Sequence, residues 1–280
     1  MSAAAMEKRM TAPAALLDRF DGLSLDELNA RAELQTRVDR KYILPAGDLA
    51  AVLAELGDDA LVLEIDGVRG TPYESVYFDT PELASYHLAA RGRRRRFKIR
   101  TRHYLDSGAS FLEVKTRGGR SLTVKDRLPY TVDAAGEALR PEGVAYADDL
   151  LRDCGVLRDG GALDPAVTGR LYPTLITRYR RTTLLLPAES GRDESRATID
   201  DRLEWVDVGA QDFARDLHLP RSVIVETKSG SSAGALDRAL WRHGHRPATL
   251  SKFGTGLAAL RPGLPSNKWR RVLDRHFSTR

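Results

Sequence analysis

Phe97-Lys98-Ile99-Arg100-Thr101-Arg102 alternates cations with uncharged side chains over six residues. In a β-strand successive side chains point to opposite faces, so Lys98, Arg100 and Arg102 share one face and Phe97 and Ile99 the other. Outward from this stretch the pattern recurs. Phe111-Leu112-Glu113-Val114-Lys115 puts Glu113 and Lys115 opposite Leu112 and Val114. Next, Ser121, Thr123, Lys125 and Arg127 oppose Leu122 and Val124, and late in the chain Ile224, Glu226 and Lys228 oppose Val223 and Val225. One such strand reads as half-buried with a solvated charged face. Repetition with mainly one sign reads differently, because like charges on neighbouring strands destabilise each other. Two unit charges about 4 Å apart interact by roughly 4 kcal/mol at an effective dielectric of about 20, so converging cations need an anion.

The remaining chain supplies more strands and few helices. Ser24-Leu25-Asp26-Glu27 is a capping box that predicts a helix to about Glu33. A strand follows over Arg37–Leu44 and a short helix over Leu49–Leu56. Further strands are expected at Leu61–Ile65, Glu74–Phe78, Leu175–Leu186, Arg196–Trp205 and Ser222–Lys228. Gly118-Gly119 signals a hairpin, Ala134–Gly169 a helical polar excursion, and Ala233–His243 a late helix. These elements predict an α+β fold: a closed antiparallel β-barrel of about eight strands with flanking helices and a basic tunnel. Arg100, Arg102, Lys115, Lys125 and Glu226 are expected to point into one lumen. The domain layout expected is a flexible lead-in over residues 1–21, the barrel over 22–262 and a basic tail over 263–280.

Composition narrows the function. The net charge of +5 is mild, so its distribution matters more than its total. A lone cysteine, Cys154, excludes an intramolecular disulfide and a cysteine-based zinc site, and fits a reducing cytoplasmic setting. No stretch is apolar enough to span a membrane, and Glu7, Lys8 and Arg9 interrupt any signal-peptide core. The run Arg93-Arg94-Arg95-Arg96 invites a nucleic-acid reading, but aromatic interleaving and recognition-helix motifs are missing, so no specific nucleic acid is expected. Gly254-Thr255-Gly256 does not match a P-loop, and His243-x-His245 has no acidic partner at metal-ligand spacing.

Several ordered motifs resemble the VTC domain of polyphosphate polymerases, a branch of the triphosphate tunnel metalloenzymes. They are Arg37-Val-Asp-Arg-Lys41-Tyr42, Val76-Tyr-Phe-Asp-Thr80, Arg100-x-Arg102-x-Tyr104, Glu113-x-Lys115 and Lys125-x-Arg127. Tyr179-x-Arg181-Thr182, Arg196-x-x-x-Asp200, Glu226-x-Lys228 and Ser251-Lys252-Phe253 follow in order. The resemblance implies transfer of the terminal phosphoryl group of ATP to a growing inorganic polyphosphate chain. It implies Arg100, Arg102, Lys115 and Arg181 at the reacting phosphates. Lys41, Lys98, Lys125, Arg127, Arg196, Lys228, Ser251 and Lys252 would be substrate contacts, and Glu226 the ligand of a divalent metal, Mn or Mg. Glu226 has a plainer reading as a salt-bridge partner of nearby cations. Hydrolytic relatives typically open with Glu-x-Glu-x-Lys, where this chain has Arg37-x-Asp39-x-Lys41. That departure favours a polymerase over a triphosphate hydrolase or cyclase, the alternative enzymatic readings. A non-catalytic polyphosphate- or nucleotide-binding module is the third. A membrane-embedded partner would place the chain at the inner face of the membrane.

Overall fold

The computed structural model describes residues 16–31, 38–117, 123–131, 137–158, 160–161, 163–164, 166–188, 193–209 and 215–277. The chain divides into two compact units. One draws on Met1–Thr71, Tyr179–Leu203 and Leu219–Thr249, the other on Pro72–Arg178, Glu204–His218 and Leu250–Arg280.

The first unit contains β1 (Asp21–Leu23), α1 (Leu25–Ala30), β2 (Val38–Pro45), α2 (Leu49–Ala54), β3 (Leu61–Leu63), β11 (Ser222–Ser229) and α5 (Ala235–Arg242). It also holds parts of β8 (Tyr172–Leu186) and β9 (Ser195–Asp207). The capping box forms as read: the Ser24 hydroxyl accepts from Glu27 N–H, and the Glu27 carboxylate accepts from Ser24 N–H. β11 pairs antiparallel with both β2 and β9, so its alternation sets two faces. Tyr42, Leu44, Val223, Val225, Ala197 and Ile199 form the apolar face, packed with the helical residues Val52, Leu53, Leu236 and Leu240. Asp237 is fully buried there, and accepts from the Tyr42 hydroxyl at 2.7 Å and from Gly234 N–H at 2.9 Å. Such bonds are what make a buried carboxylate tolerable.

The second unit contains β4 (Thr71–Asp79), α3 (Ala84–Ala90), β5 (Arg96–Tyr104), β6 (Ser110–Arg117), β7 (Thr123–Pro129), α4 (Pro141–Asp153), β10 (Arg215–Leu219) and α6 (Lys252–Leu260). Val76, Phe78, Phe97, Ile99, Leu112 and Val114 form its apolar face, against which Ala147 and Leu151 of α4 pack. Sequence patterning overlooked α3, α6 and β10. Gly254 and Gly256 explain α6: a β-carbon at either would collide with the indole of Trp269 or Trp205, so this glycine pair lets a helix lie directly on two tryptophans. Trp269 and Phe277 are buried in the same unit.

Within the units the hydrogen-bonded strand orders are β2-β11-β9-β8 and β8-β4-β5-β6-β7. The pairings with a defined register are antiparallel except for β1 with β3. These are open paths, so the closed barrel predicted from the sequence is not formed by the described residues. Alternation fixes which face of a strand is apolar but does not decide whether the last strand returns to the first. β7 bears the features of an edge, with exposed Lys125, Asp126 and Arg127 and a terminal Pro129. The Gly118-Gly119 hairpin signal lies outside the described residues, although β6 and β7 on either side of it pair antiparallel.

Asp79 shows how one motif residue builds local structure. It is fully buried at the end of β4, and its carboxylate accepts backbone N–H groups of Thr80 and Ser85 at 2.8 Å and of Tyr86 at 2.9 Å. Two of these come from the first turn of α3, whose free N–H groups need acceptors. Asp79→Asn loses one acceptor oxygen, leaves an amide where N–H groups converge, and should cost about 1–3 kcal/mol in urea unfolding. Unchanged stability would show that the bonds at Asp79 do not hold the α3 turn.

Candidate functional site

The second unit carries the denser cluster. Registers align Tyr77 with Arg100, Arg100 with Glu113 and Glu113 with Arg127 across β4, β5, β6 and β7. One row along, Lys98 lies directly opposite Lys115, and Lys115 directly opposite Lys125. Three lysines thus stand in a line across three strands. Arg102, aligned with Ser75 and Phe111, belongs to the same face. Six cations (Lys98, Arg100, Arg102, Lys115, Lys125 and Arg127) share this face with Glu113.

Glu113 is the hub of that face. It is 3% exposed, and its carboxylate lies 2.6 Å from Arg100 Nη2, 2.8 Å from Lys125 Nζ and 3.6 Å from Arg102 Nη1. Burial opposes its ionisation, but Arg100, Arg102 and Lys125 outweigh burial and hold the carboxyl far below the usual range. Arg100 also donates to the Tyr77 hydroxyl at 2.9 Å. Two buried polar atoms on this face, Ser75 Oγ and Arg102 Nε, have no hydrogen-bond partner among the described residues. Such atoms are costly to bury and favour an anion or water as partner.

Ser251-Lys252-Phe253 brings a helix start to the face. Ser251 caps α6 by accepting from Gly254 N–H, and its hydroxyl also accepts from Lys98 Nζ at 3.1 Å. Phe253 stacks on Tyr77 with ring centroids 5.2 Å apart, and Lys98 Nζ lies 5.9 Å from both centroids. The Lys252 carbonyl accepts from Trp205 Nε1 at 2.9 Å. A helix N-terminus next to cations suits an anion.

The first unit carries a second, mixed cluster. Lys41 aligns with Glu226, and Asp39 with Lys228, across β2 and β11; on β9, Arg196 aligns with Lys228 and Thr198 with Glu226. Lys41 Nζ lies 2.8 Å from Glu226 Oε1. Burial raises the affinity of Glu226 for its proton, but Lys41, Lys228 and Arg181 reverse this and bring its pKa down to about 2. Arg181 donates to both oxygens of buried Asp200, at 2.6 and 2.8 Å. Arg196 donates to the Leu28 carbonyl at 2.8 Å. Arg37 lies outside the described residues.

The divalent metal implied by the resemblance meets a sparse donor set. Among the described residues no group of three or more His, Cys, Asp or Glu side chains could hold a metal. Glu226, with Asp39 along the same face, therefore fits a magnesium-like ion only if phosphate oxygens complete the shell, which is how such ions commonly bind. His243, by contrast, lies 2.6 Å from a carboxylate oxygen of Glu55.

The described positions expected from the sequence thus fall into two sets. Lys98, Arg100, Arg102, Lys115, Lys125, Arg127, Ser251 and Lys252 belong to the second unit, and Lys41, Arg181, Arg196, Glu226 and Lys228 to the first. Tyr77, Ser75 and the hub role of Glu113 were missed as site features; their signal was the alternation that placed them beside Arg100 and Arg102.

The VTC-domain family profile matches residues 36–261. The chain belongs to the VTC-domain family. Membership ties this VTC-domain chain to polyphosphate-related chemistry. No curated protein matches it. Among solved structures, the putative adenylyl cyclase from Hippeastrum, described as having a dominant triphosphatase activity, is 14% identical with TM-score 0.38, covering 83% of this chain and 100% of that one. A conserved hypothetical protein from Pyrococcus furiosus is 11% identical with TM-score 0.33, covering 75% and 88%. The PH1012 protein from Pyrococcus horikoshii OT3 is 12% identical with TM-score 0.33, also covering 75% and 88%. Similarities this distant carry no argument about the chemistry. No helix among the described residues of this VTC-domain chain is long and apolar enough to cross a membrane.

Proposed function

We propose that this VTC-domain chain is a metal-dependent polyphosphate polymerase that transfers the terminal phosphoryl group of ATP to an inorganic polyphosphate chain. The observation that carries this reading is the row Lys98, Lys115, Lys125, three like charges set directly opposite one another across β5, β6 and β7. Such a row adds like-charge repulsion to the free protein, which Glu113 offsets in part at Lys125 and a polyanion lying along the row would offset further. In the reaction a terminal phosphate oxygen of the polyphosphate attacks the γ-phosphorus of ATP. The bond between that phosphorus and the β–γ bridging oxygen breaks, and ADP leaves with the electron pair. Phosphoryl transfer of this kind needs alignment and charge stabilisation more than covalent chemistry. Arg100 and Arg102 present planar donors suited to phosphate oxygens, Lys115 and Lys125 add point charges, and Glu113 holds Arg100 in place. Glu226, in the first unit, is the proposed protein ligand of a divalent cation that would bind with phosphate oxygens and supply charge neutralisation. A cytoplasmic placement with a membrane-embedded partner to receive the product belongs to the same proposal.

Purified protein incubated with ATP and Mn2+ should yield a ladder of phosphate chains on a denaturing gel. Release of orthophosphate, pyrophosphate or a cyclic nucleotide without chains would replace the polymerase by a hydrolase or cyclase. Tight tripolyphosphate binding without turnover would leave a binding module.

A further inference from the structure

The arginine run divides. Arg96 opens β5, but Arg93, Arg94 and Arg95 line a separate cavity of about 540 Å³ in the second unit. Arg91 and Arg158 join them on its wall, and no Asp or Glu is among the described residues that line it. Its floor is aliphatic, made by Ala84, Leu88, Val156 and Leu163. One further wall residue, His87, has a buried Nδ1 without a hydrogen-bond partner among the described residues.

Local structure accounts for the place of the arginines but not for their number. Gly92 adopts φ +65° directly after α3, which turns the chain sharply, and Arg93 N–H donates to the Leu88 carbonyl at 2.9 Å. One or two cations at a helix C-terminus complement the carbonyls there. Five arginines around one cavity exceed that need and repel one another. An apolar floor is also of no use to a bare polyphosphate chain. Cavities of a few hundred cubic ångströms with an apolar base and a few charged groups are typical of small-molecule sites.

We infer that this arginine-collared cavity is a second anion site, which takes a phosphate monoester with an apolar body: the phosphate in the collar, the apolar part on Leu88 and Val156. The inference stands independently of the polymerase reading. This chemistry comes from two sources, a soluble organic phosphate or the headgroup region of a phosphatidic-acid-like lipid.

The test uses the full chain and the charge-removed variant Arg93→Ala/Arg95→Ala/Arg158→Ala, whose side chains are exposed and lie outside the basic face. Naphthyl phosphate binding is measured by calorimetry. In parallel, the protein is floated with phosphatidylcholine vesicles with and without phosphatidic acid. Each charged hydrogen bond removed should weaken phosphate binding by roughly tenfold or more. The expected result is binding of naphthyl phosphate, of phosphatidic-acid vesicles or of both, lost by at least tenfold in the variant. Tripolyphosphate affinity should stay within about twofold, which also shows that the variant is folded. Binding of naphthyl phosphate alone identifies the soluble source, and vesicle binding alone the lipid. No binding of either probe, or binding that the variant retains, overturns the inference.

Discussion

Lys115→Met should leave the free protein as stable as before or more stable by a few tenths of a kcal/mol, while lowering tripolyphosphate affinity roughly ten- to hundredfold. The two effects have opposite signs for one reason. Lys115 lies directly opposite Lys98 on one side and Lys125 on the other, so its charge is the centre of a like-charge row. Methionine keeps the long apolar stem on an exposed position and removes only the ammonium group. If the row exists to meet phosphates, removing its middle member relieves repulsion in the free state and deprives the ligand of a charged donor. Turnover of ATP into polyphosphate should fall further, by about a hundredfold or more, because preorganised charge counts most as the phosphoryl group moves. Urea unfolding, calorimetry with tripolyphosphate and the gel assay together check the three effects. A loss of stability with unchanged affinity would make Lys115 a structural residue and remove the observation on which the proposed function rests.

Much of this was legible in the sequence because strands expose a period of two. Phe97, Ile99, Leu112 and Val114 reached the core, and Lys98, Arg100, Arg102 and Lys115 the opposite face, as alternation requires. The motif Val76-Tyr-Phe-Asp-Thr80 resolves residue by residue: Phe78 enters the core, Tyr77 faces Arg100, and Asp79 caps the α3 turn. Closure was not legible, since it depends on pairing between strands distant in sequence, which no local pattern encodes. The helix α6 escaped because its glycines read as loop residues, whereas their role is contact with Trp205 and Trp269, partners remote in the chain. Glu113 was visible as a charge, but its three cationic neighbours come from β5 and β7, and only the register assembles them.

Glu226→Gln should abolish turnover, by about a thousandfold or more, while polyphosphate binding without metal is kept or tightened. Glutamine preserves the size and one acceptor oxygen but removes the negative charge. In the structure that charge faces Lys41 at 2.8 Å and is held ionised by Lys41, Lys228 and Arg181. A carboxylate kept charged is ready to take a hard cation, which prefers oxygen donors and tolerates one or two protein ligands when phosphates fill the shell. The competing role is charge balance for these neighbouring cations. The two roles separate on metal rather than on rate: Mn2+ binding in the presence of tripolyphosphate, followed by electron paramagnetic resonance, should be strong in the parent protein and weakened at least tenfold in the variant. Under charge balance, the variant would bind Mn2+ with tripolyphosphate as before, and its turnover would change only as far as its altered polyphosphate affinity requires. Near-normal, metal-dependent turnover by the variant would reject Glu226 as the metal ligand, and the search would pass to Asp39, the next carboxylate along the same face.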